Sequence, residues 1–247
     1  VQLIGANLDT TFIVTSCNDD FNIARLERYV ALALEDKASP VILLTKADLA
    51  EDVESYLSQA RSISADVPVL AIDGRGEEPR ERLAEWCKPG KTVAFIGSSG
   101  VGKSTLTNTL SGGQEIKTQG IREGDARGRH TTTSRQLHLL VSGCTVLDTP
   151  GMREVQLTDA ASGLGELFAD LQELSTQCRF RDCMHESEPG CAIKSALAAG
   201  EIGEARLERW KKLVAEDAFN SESLSPRRAR DRTFGRIAKQ PKKKGKK

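Results

Sequence analysis

Eight residues carry the first recognisable chemistry. Gly97-Ser98-Ser99-Gly100-Val101-Gly102-Lys103-Ser104 fits G-x-x-x-x-G-K-[ST] at every position. In such a loop the glycines let successive backbone N–H groups converge on phosphate oxygens, and the start of the following helix adds partial positive charge. Lys103 can reach the β- and γ-phosphates, the Ser104 hydroxyl can ligate Mg²⁺, and Thr105 opens the helix beside them. Thr92–Ile96 before the loop reads as a short apolar strand. Thr105–Leu110 after it reads as a helix, with Leu106 and Leu110 at helical spacing. The alternative, a Gly/Ser-rich turn with no ligand, does not explain a strand before the loop and a helix after it. The stretch predicts a nucleoside triphosphate site.

Other chemistry-bearing residues fall at predicted strand ends. Thr45-Lys46-Ala47-Asp48 follows the apolar run Val41–Leu44. A carboxylate at Asp48 can accept from both N1–H and the 2-amino group of guanine; adenine offers neither donor, so a buried unpaired acceptor would penalise ATP. Lys46 would lie along the ring, and the backbone near Ala71 could contact the base oxygen. Asp148-Thr149-Pro150-Gly151 supplies a carboxylate for the Mg²⁺ shell and, at Gly151, an amide for the γ-phosphate. The polar loop ending in Gly128-Arg129-His130-Thr131-Thr132-Thr133 offers hydroxyls that could close over the metal, Thr132 or its neighbour Thr131 reaching it. Each motif is commonplace alone; together they predict a GTPase. Farther on, Cys178, Cys183, His185 and Cys191 place three thiolates and an imidazole within fourteen residues. That set suits a closed tetrahedral Zn²⁺ site with no open position for chemistry.

Strands alternating with helices up to residue 150 predict an α/β fold with a mainly parallel sheet. The motif order is unusual, because the guanine motif and Ala71 precede the phosphate loop. This is the order of a circularly permuted P-loop GTPase domain, residues 1–156, in which Asp148–Gly151 is the last functional element. A small C-terminal helical zinc-binding domain is expected at 157–220, with helices over Leu164–Leu174 and Ala192–Ala215. A basic tail follows at 221–247. Formal net charge is zero, yet the tail holds eleven Lys/Arg against Glu222 and Asp231, a net of +9, leaving −9 on the remainder. Such runs are too charged to fold alone; they either solubilise or contact phosphate backbones. Cys17, Cys87 and Cys144 are scattered singly, so cysteine usage points to a reducing compartment and metal binding, not to a disulfide framework. No apolar run approaches membrane-spanning length.

On these motifs, with Ala6-Asn7-Leu8-Asp9 and Asp20-Phe21-Asn22 besides, the chain resembles the RsgA (YjeQ/EngC) family of ribosome small-subunit-dependent GTPases. The resemblance implies a cytoplasmic enzyme that turns GTP into GDP and phosphate late in small-subunit assembly, binds the particle and its rRNA as a monomer, and leaves after hydrolysis. It also implies an N-terminal OB-fold domain, which these 247 residues do not include; Val1 begins partway into an apparent strand. Thr45 stands where many members carry Asn. Met152 follows the switch glycine, where signalling GTPases place their water-orienting Gln, and the resemblance points to His130 for that role. Two other readings stay open at this point: a nucleotide-gated RNA-binding scaffold with incidental hydrolysis, and a P-loop ATPase or kinase, which Thr45–Asp48 disfavours.

Overall fold

A computed structural model of the chain describes residues 7–112, 136–149 and 157–238, with the backbone alone at Gln136 and 222–238. The run Thr10–Ser16 forms β1 with all seven residues buried. It shows no apolar–polar alternation because both faces of a central parallel strand are covered. Phe12 and Val14 join one layer with Val41, Leu43, Val93 and Phe95, while Ile13 joins the other with Ile42, Leu44 and Ile96. Asn22 ends the connecting loop and caps α1 (Ile23–Glu35), its side chain accepting the Arg25 N–H at 2.9 Å. The chain continues through β2 (Ser39–Thr45), α2 (Val53–Arg61), β3 (Val69–Ala71), α3 (Glu78–Arg82), β4 (Thr92–Ile96), α4 (Lys103–Leu110), β5 (Gln136–Leu139) and β6 (Thr145–Asp148). The strands predicted between Thr11 and Leu147 are all present, α3 is a single short helix, and the strand apparent at Val1 lies outside the described residues.

The six strands form one mixed sheet in the order β3-β2-β1-β4-β6-β5. Only β5–β6 is antiparallel. From β1 the sheet grows outward through β2 and β3; the chain then returns to β4, on the other side of β1, and grows the opposite way. The crevice outside the carboxyl ends of β1 and β4 is therefore the point where strand order reverses, the place where open α/β sheets bind ligands. The phosphate-loop motif leaves β4 at that point.

Four further helices follow: α5 (Ala161–Leu167), α6 (Ala169–Thr176), α7 (Ala192–Ala199) and α8 (Glu204–Ala238). The single helix expected over Ala192–Ala215 is split because Gly200 closes α7 with a φ of 75°. Past that break α8 runs through residue 220 without interruption. The basic stretch expected not to fold alone is thus helical in its backbone as far as Ala238. Extending a helix already nucleated costs far less than starting one. Leu164, Leu167, Phe168 and Leu171 share one apolar core with Leu26, Tyr29 and Val30, so the core is continuous across residue 157. At Gly163 a Cβ would lie 2.0 Å from the Ala31 carbonyl oxygen, and the Gly163 N–H donates to Glu35 Oε2 at 2.8 Å. Only a residue without a side chain allows α5 and α1 to approach so closely. Among the described residues no helix is long and apolar enough to cross a membrane.

Candidate nucleotide and metal sites

The phosphate loop is held down at its first residue. A Cβ on Gly97 would stand 2.1 Å from the Val14 carbonyl oxygen, at a φ of 146°, so the loop leaves β4 pressed against the end of β1. Val101 is buried, and its carbonyl accepts the Thr45 hydroxyl at 2.6 Å; the same hydroxyl reaches the Thr15 carbonyl at 3.1 Å. Thr45 therefore staples the end of β2 to both β1 and the phosphate loop. Ser98 Oγ accepts from Arg25 Nη1 at 2.5 Å, and that guanidinium also pairs with Asp20 Oδ1 at 3.0 Å. The Asp20–Arg25 support was not foreseen as part of the site; Arg25 is 73 residues from Ser98 in sequence.

Lys103 begins α4, after the N-cap Gly102, with only 6% of its surface exposed. Its ammonium donates to the carbonyls of Gly97 at 2.9 Å and Ser98 at 2.7 Å. Burial pushes its pKa down to about 8, with the Asp148 and Asp20 carboxylates pulling the other way. Asp148 closes β6 at 1% exposure; burial raises its pKa, opposed by Lys103, and its carboxylate accepts the Ser104 hydroxyl. One oxygen, Asp148 Oδ1, is buried without a partner. A buried carboxylate oxygen left unsatisfied beside a hydroxyl is the donor set a hard cation takes, so the residues fit Mg²⁺. Thr149 donates its hydroxyl to the Phe95 carbonyl at 2.6 Å and fixes the end of β6 to β4. His130, Thr131, Thr132 and Gly151 lie outside the described residues.

Around the expected base, Lys46 takes a left-handed φ of 56° and starts the 3-10 turn Ala47–Leu49 that carries Asp48. The residue that reaches Asp48 is Arg75, whose Nη2 lies 2.5 Å from Oδ2. Arg75 is held by Asp73, which accepts both its Nε and its backbone N–H. Ala71 sits inside β3 opposite Leu44, with its carbonyl taken by Arg82. Arg75, which meets Asp48, lies four residues beyond Ala71 in the loop that follows β3. Its signal, an Asp-Gly-Arg after β3, is too common to read alone. Gly74 anchors this loop on α4 through the Thr109 hydroxyl, which donates to its carbonyl at 2.8 Å.

The four expected metal ligands come together, their ligand atoms all within 4.8 Å of one another. Cys178 Sγ lies 3.6 Å from His185 Nδ1 and 3.9 Å from Cys191 Sγ, and Cys191 Sγ lies 3.5 Å from His185 Nδ1. A tetrahedral ion with bonds of about 2.0–2.3 Å needs edges of about 3.5–3.8 Å, which these distances match. Burial opposes ionisation of Cys178, but backbone N–H groups of Ala192 and Ile193 and the neighbouring thiols outweigh it, so its pKa falls below the ordinary value. Glu188 shapes the loop by accepting the N–H groups of Met184, Glu186 and Ser187.

The state of Lys103 has a measurable consequence. In the free protein its pKa is about 8, and bound phosphates raise it, so binding takes up a proton above that pH. Affinity for a nucleoside diphosphate should be level up to about pH 8 and fall above it by up to about tenfold per pH unit. Titrations from about pH 7 to pH 9 should show this fall in the wild type and its absence in Lys103→Arg, whose guanidinium stays charged throughout. A wild-type affinity as flat as that of the variant contradicts the assignment.

The model of the family described as RsgA GTPase matches residues 1–158. The chain is 50% identical over 238 residues to the small ribosomal subunit biogenesis GTPase RsgA 2 of Vibrio parahaemolyticus, covering 96% of this chain and 66% of that protein. It is 53% identical over 238 residues to the small ribosomal subunit biogenesis GTPase RsgA of Mesorhizobium japonicum, covering 95% and 69%. It therefore spans about two thirds of the length of the curated relatives it matches. The crystal structure of YjeQ from Thermotoga maritima aligns with a TM-score of 0.62 at 29% identity, over 85% of this chain and 71% of that one. YloQ, described as a circularly permuted GTPase, aligns at 0.57 and 30%, over 85% and 68%. With the phosphate loop at the sheet's reversal point and the guanine motif ahead of it in sequence, these matches make one conclusion plain: the chain belongs to the RsgA GTPase family.

Proposed function

We propose that this chain hydrolyses GTP to GDP and phosphate as a late assembly factor of the small ribosomal subunit, acting as a cytoplasmic monomer that docks on the particle's rRNA. The observation that carries the reading is the joint placement of Lys103, Ser104 and Asp148 at the carboxyl ends of β4 and β6, with Asp48 at the end of β2. Residues 1–156 form the permuted GTPase domain, 157–220 the helical zinc-binding domain, and 221–247 the basic segment that α8 enters. The names of the relatives supply the process.

In this reading the backbone N–H groups over Ser98, Ser99, Gly100, Val101, Gly102 and Lys103 to Thr105 cradle the phosphates, and the Lys103 ammonium exchanges its two carbonyls for phosphate oxygens. Asp48 accepts the guanine N1–H and 2-amino group, with Lys46 along the ring and Ala47 in the turn. Ser104, Thr132 and Asp148 hold Mg²⁺, which when bound neutralises charge on the β- and γ-oxygens. Gly151 senses the γ-phosphate, and His130 orients the attacking water. Cys178, Cys183, His185 and Cys191 hold a structural zinc ion, which binds together a loop poor in apolar residues.

A mechanical route supports the switch. The segment leaving the Asp148 loop is gripped by α8: Glu216 accepts the Leu157 N–H at 3.3 Å, Asp217 that of Ala160 at 2.9 Å, and Ser221 Oγ that of Asp159 at 3.0 Å. On the switch reading, this grip ties the stretch that begins six residues past Gly151 in sequence to the helix that enters the basic segment.

Turnover measured with and without purified small subunits tests the function. The chain alone should be a slow GTPase, stimulated by the particles about tenfold or more. His130→Ala should retain GTP binding and lose most of that stimulation, on the order of the 100-fold that a positioned base supplies. A wild type that binds particles without any stimulation favours the scaffold reading instead; stimulation of His130→Ala equal to wild type removes His130 from the mechanism. For the metal, protein purified without chelators should carry about one zinc per chain, and less than about half an equivalent contradicts the assignment.

A further inference from the structure

The carboxylate expected to read guanine already has a partner. Arg75 Nη2 lies 2.5 Å from Asp48 Oδ2, across 27 residues of sequence. The guanidinium is not a chance neighbour, because its other edge is clamped. Arg75 Nε donates to Asp73 Oδ1 at 3.0 Å, and the Arg75 backbone N–H donates to the same oxygen at 3.1 Å. The loop beneath is fixed at both sides. Ile72 N–H donates to the Leu44 carbonyl at 2.9 Å, and the Gly74 carbonyl takes the Thr109 hydroxyl of the phosphate-loop helix at 2.8 Å. An anchored loop therefore aims a guanidinium at the one acceptor that distinguishes guanine from adenine.

On the guanine-nucleotide reading, we propose that Arg75 is a specificity-determining residue whose guanidinium occupies Asp48 in the free protein and must yield it to the base. Guanine binds by exchange: N1–H and the 2-amino group replace Arg75 Nη2, and Arg75 falls back on Asp73. Adenine offers no donor to make that exchange, so in the wild type it leaves the ion pair intact and meets no bare carboxylate. Arg75 thus holds guanine affinity down and softens the rejection of adenine. The pair is solvent-accessible, with 66% of the Arg75 side chain and 32% of the Asp48 side chain exposed. An accessible pair contributes modestly, so the effect of removing it is a few-fold and not orders of magnitude.

Equilibrium titrations of GDP and ADP into the wild type, Arg75→Ala and Arg75→Gln test this. Both variants should bind GDP about two- to fivefold more tightly than the wild type, the range expected of an exposed ion pair, while ADP binding stays level or weakens. Raising the salt concentration should narrow the GDP gap between wild type and variants, since screening weakens the competing pair. A general loosening of the loop would weaken both nucleotides together, and an Arg75 that packs on the bound base would make GDP weaker in both variants. Either result, or unchanged GDP affinity, overturns the inference. A wild type that binds GDP no better than ADP would instead overturn the guanine-nucleotide reading itself.

Discussion

A buried ammonium is the constraint on which the rest of this structure depends. Lys103 is almost wholly removed from solvent, and among the described residues the carbonyls of Gly97 and Ser98 accept its ammonium, with the carboxylates of Asp148 and Asp20 nearby. An isolated buried charge is costly, and here the cost is met by holding the loop rigid enough to keep those carbonyls in place. The rigidity comes from below, where Gly97 is pressed on Val14, and from the side, where the Thr45 hydroxyl ties Val101 to β1 and β2. A site arranged in this way needs little reorganisation to receive phosphates.

The second organising element is α1. At its start Arg25 touches Ser98 of the phosphate loop. Two residues later Glu27, with no exposed surface, accepts Arg209 of α8 at 2.8 Å on both oxygens, and Arg28 pairs with Glu216. Burial raises the Glu27 pKa against the pull of Arg209. Leaving either partner of such a pair alone typically costs about 3–5 kcal/mol, so α1 and α8 stay in register. One helix thus touches the phosphate loop through Arg25 and holds the C-terminal helix through Glu27 and Arg28. The acids that grip residues 157–160 sit on the same stretch of α8. Nucleotide loop, switch exit and C-terminal helix are joined through charged contacts on a shared apolar core, not through a flexible hinge.

The strands were legible in the sequence because β1, β2 and β4 are buried on both faces, which leaves uninterrupted apolar runs. The phosphate loop and the Cys178–Cys191 cluster were legible because their spacing is itself the chemistry. What escaped was long-range. Thr45 was named with Lys46, Ala47 and Asp48 as part of one nucleotide-binding motif; that its hydroxyl bonds the Thr15 and Val101 carbonyls is visible only once β2 lies beside β1. Asp73 and Arg75 sit in an exposed turn with no periodicity to mark them. The split at Gly200 and the continuation of α8 were missed for opposite reasons. A lone glycine is often tolerated within helices, and a run of like charge is usually unfavourable as an isolated segment. Here the first ends a helix, and the second is carried by one already formed.

The central claim is that Asp48 reads a guanine edge beside the phosphate loop. A calorimetric titration of GDP into the wild type and into Asp48→Asn tests it most directly. The variant should bind GDP about 5- to 150-fold more weakly, the equivalent of about 1–3 kcal/mol for an unsatisfied partner, and should gain affinity for xanthosine diphosphate, whose 2-oxo group accepts from an amide. Equal GDP affinity in the two proteins would contradict the account.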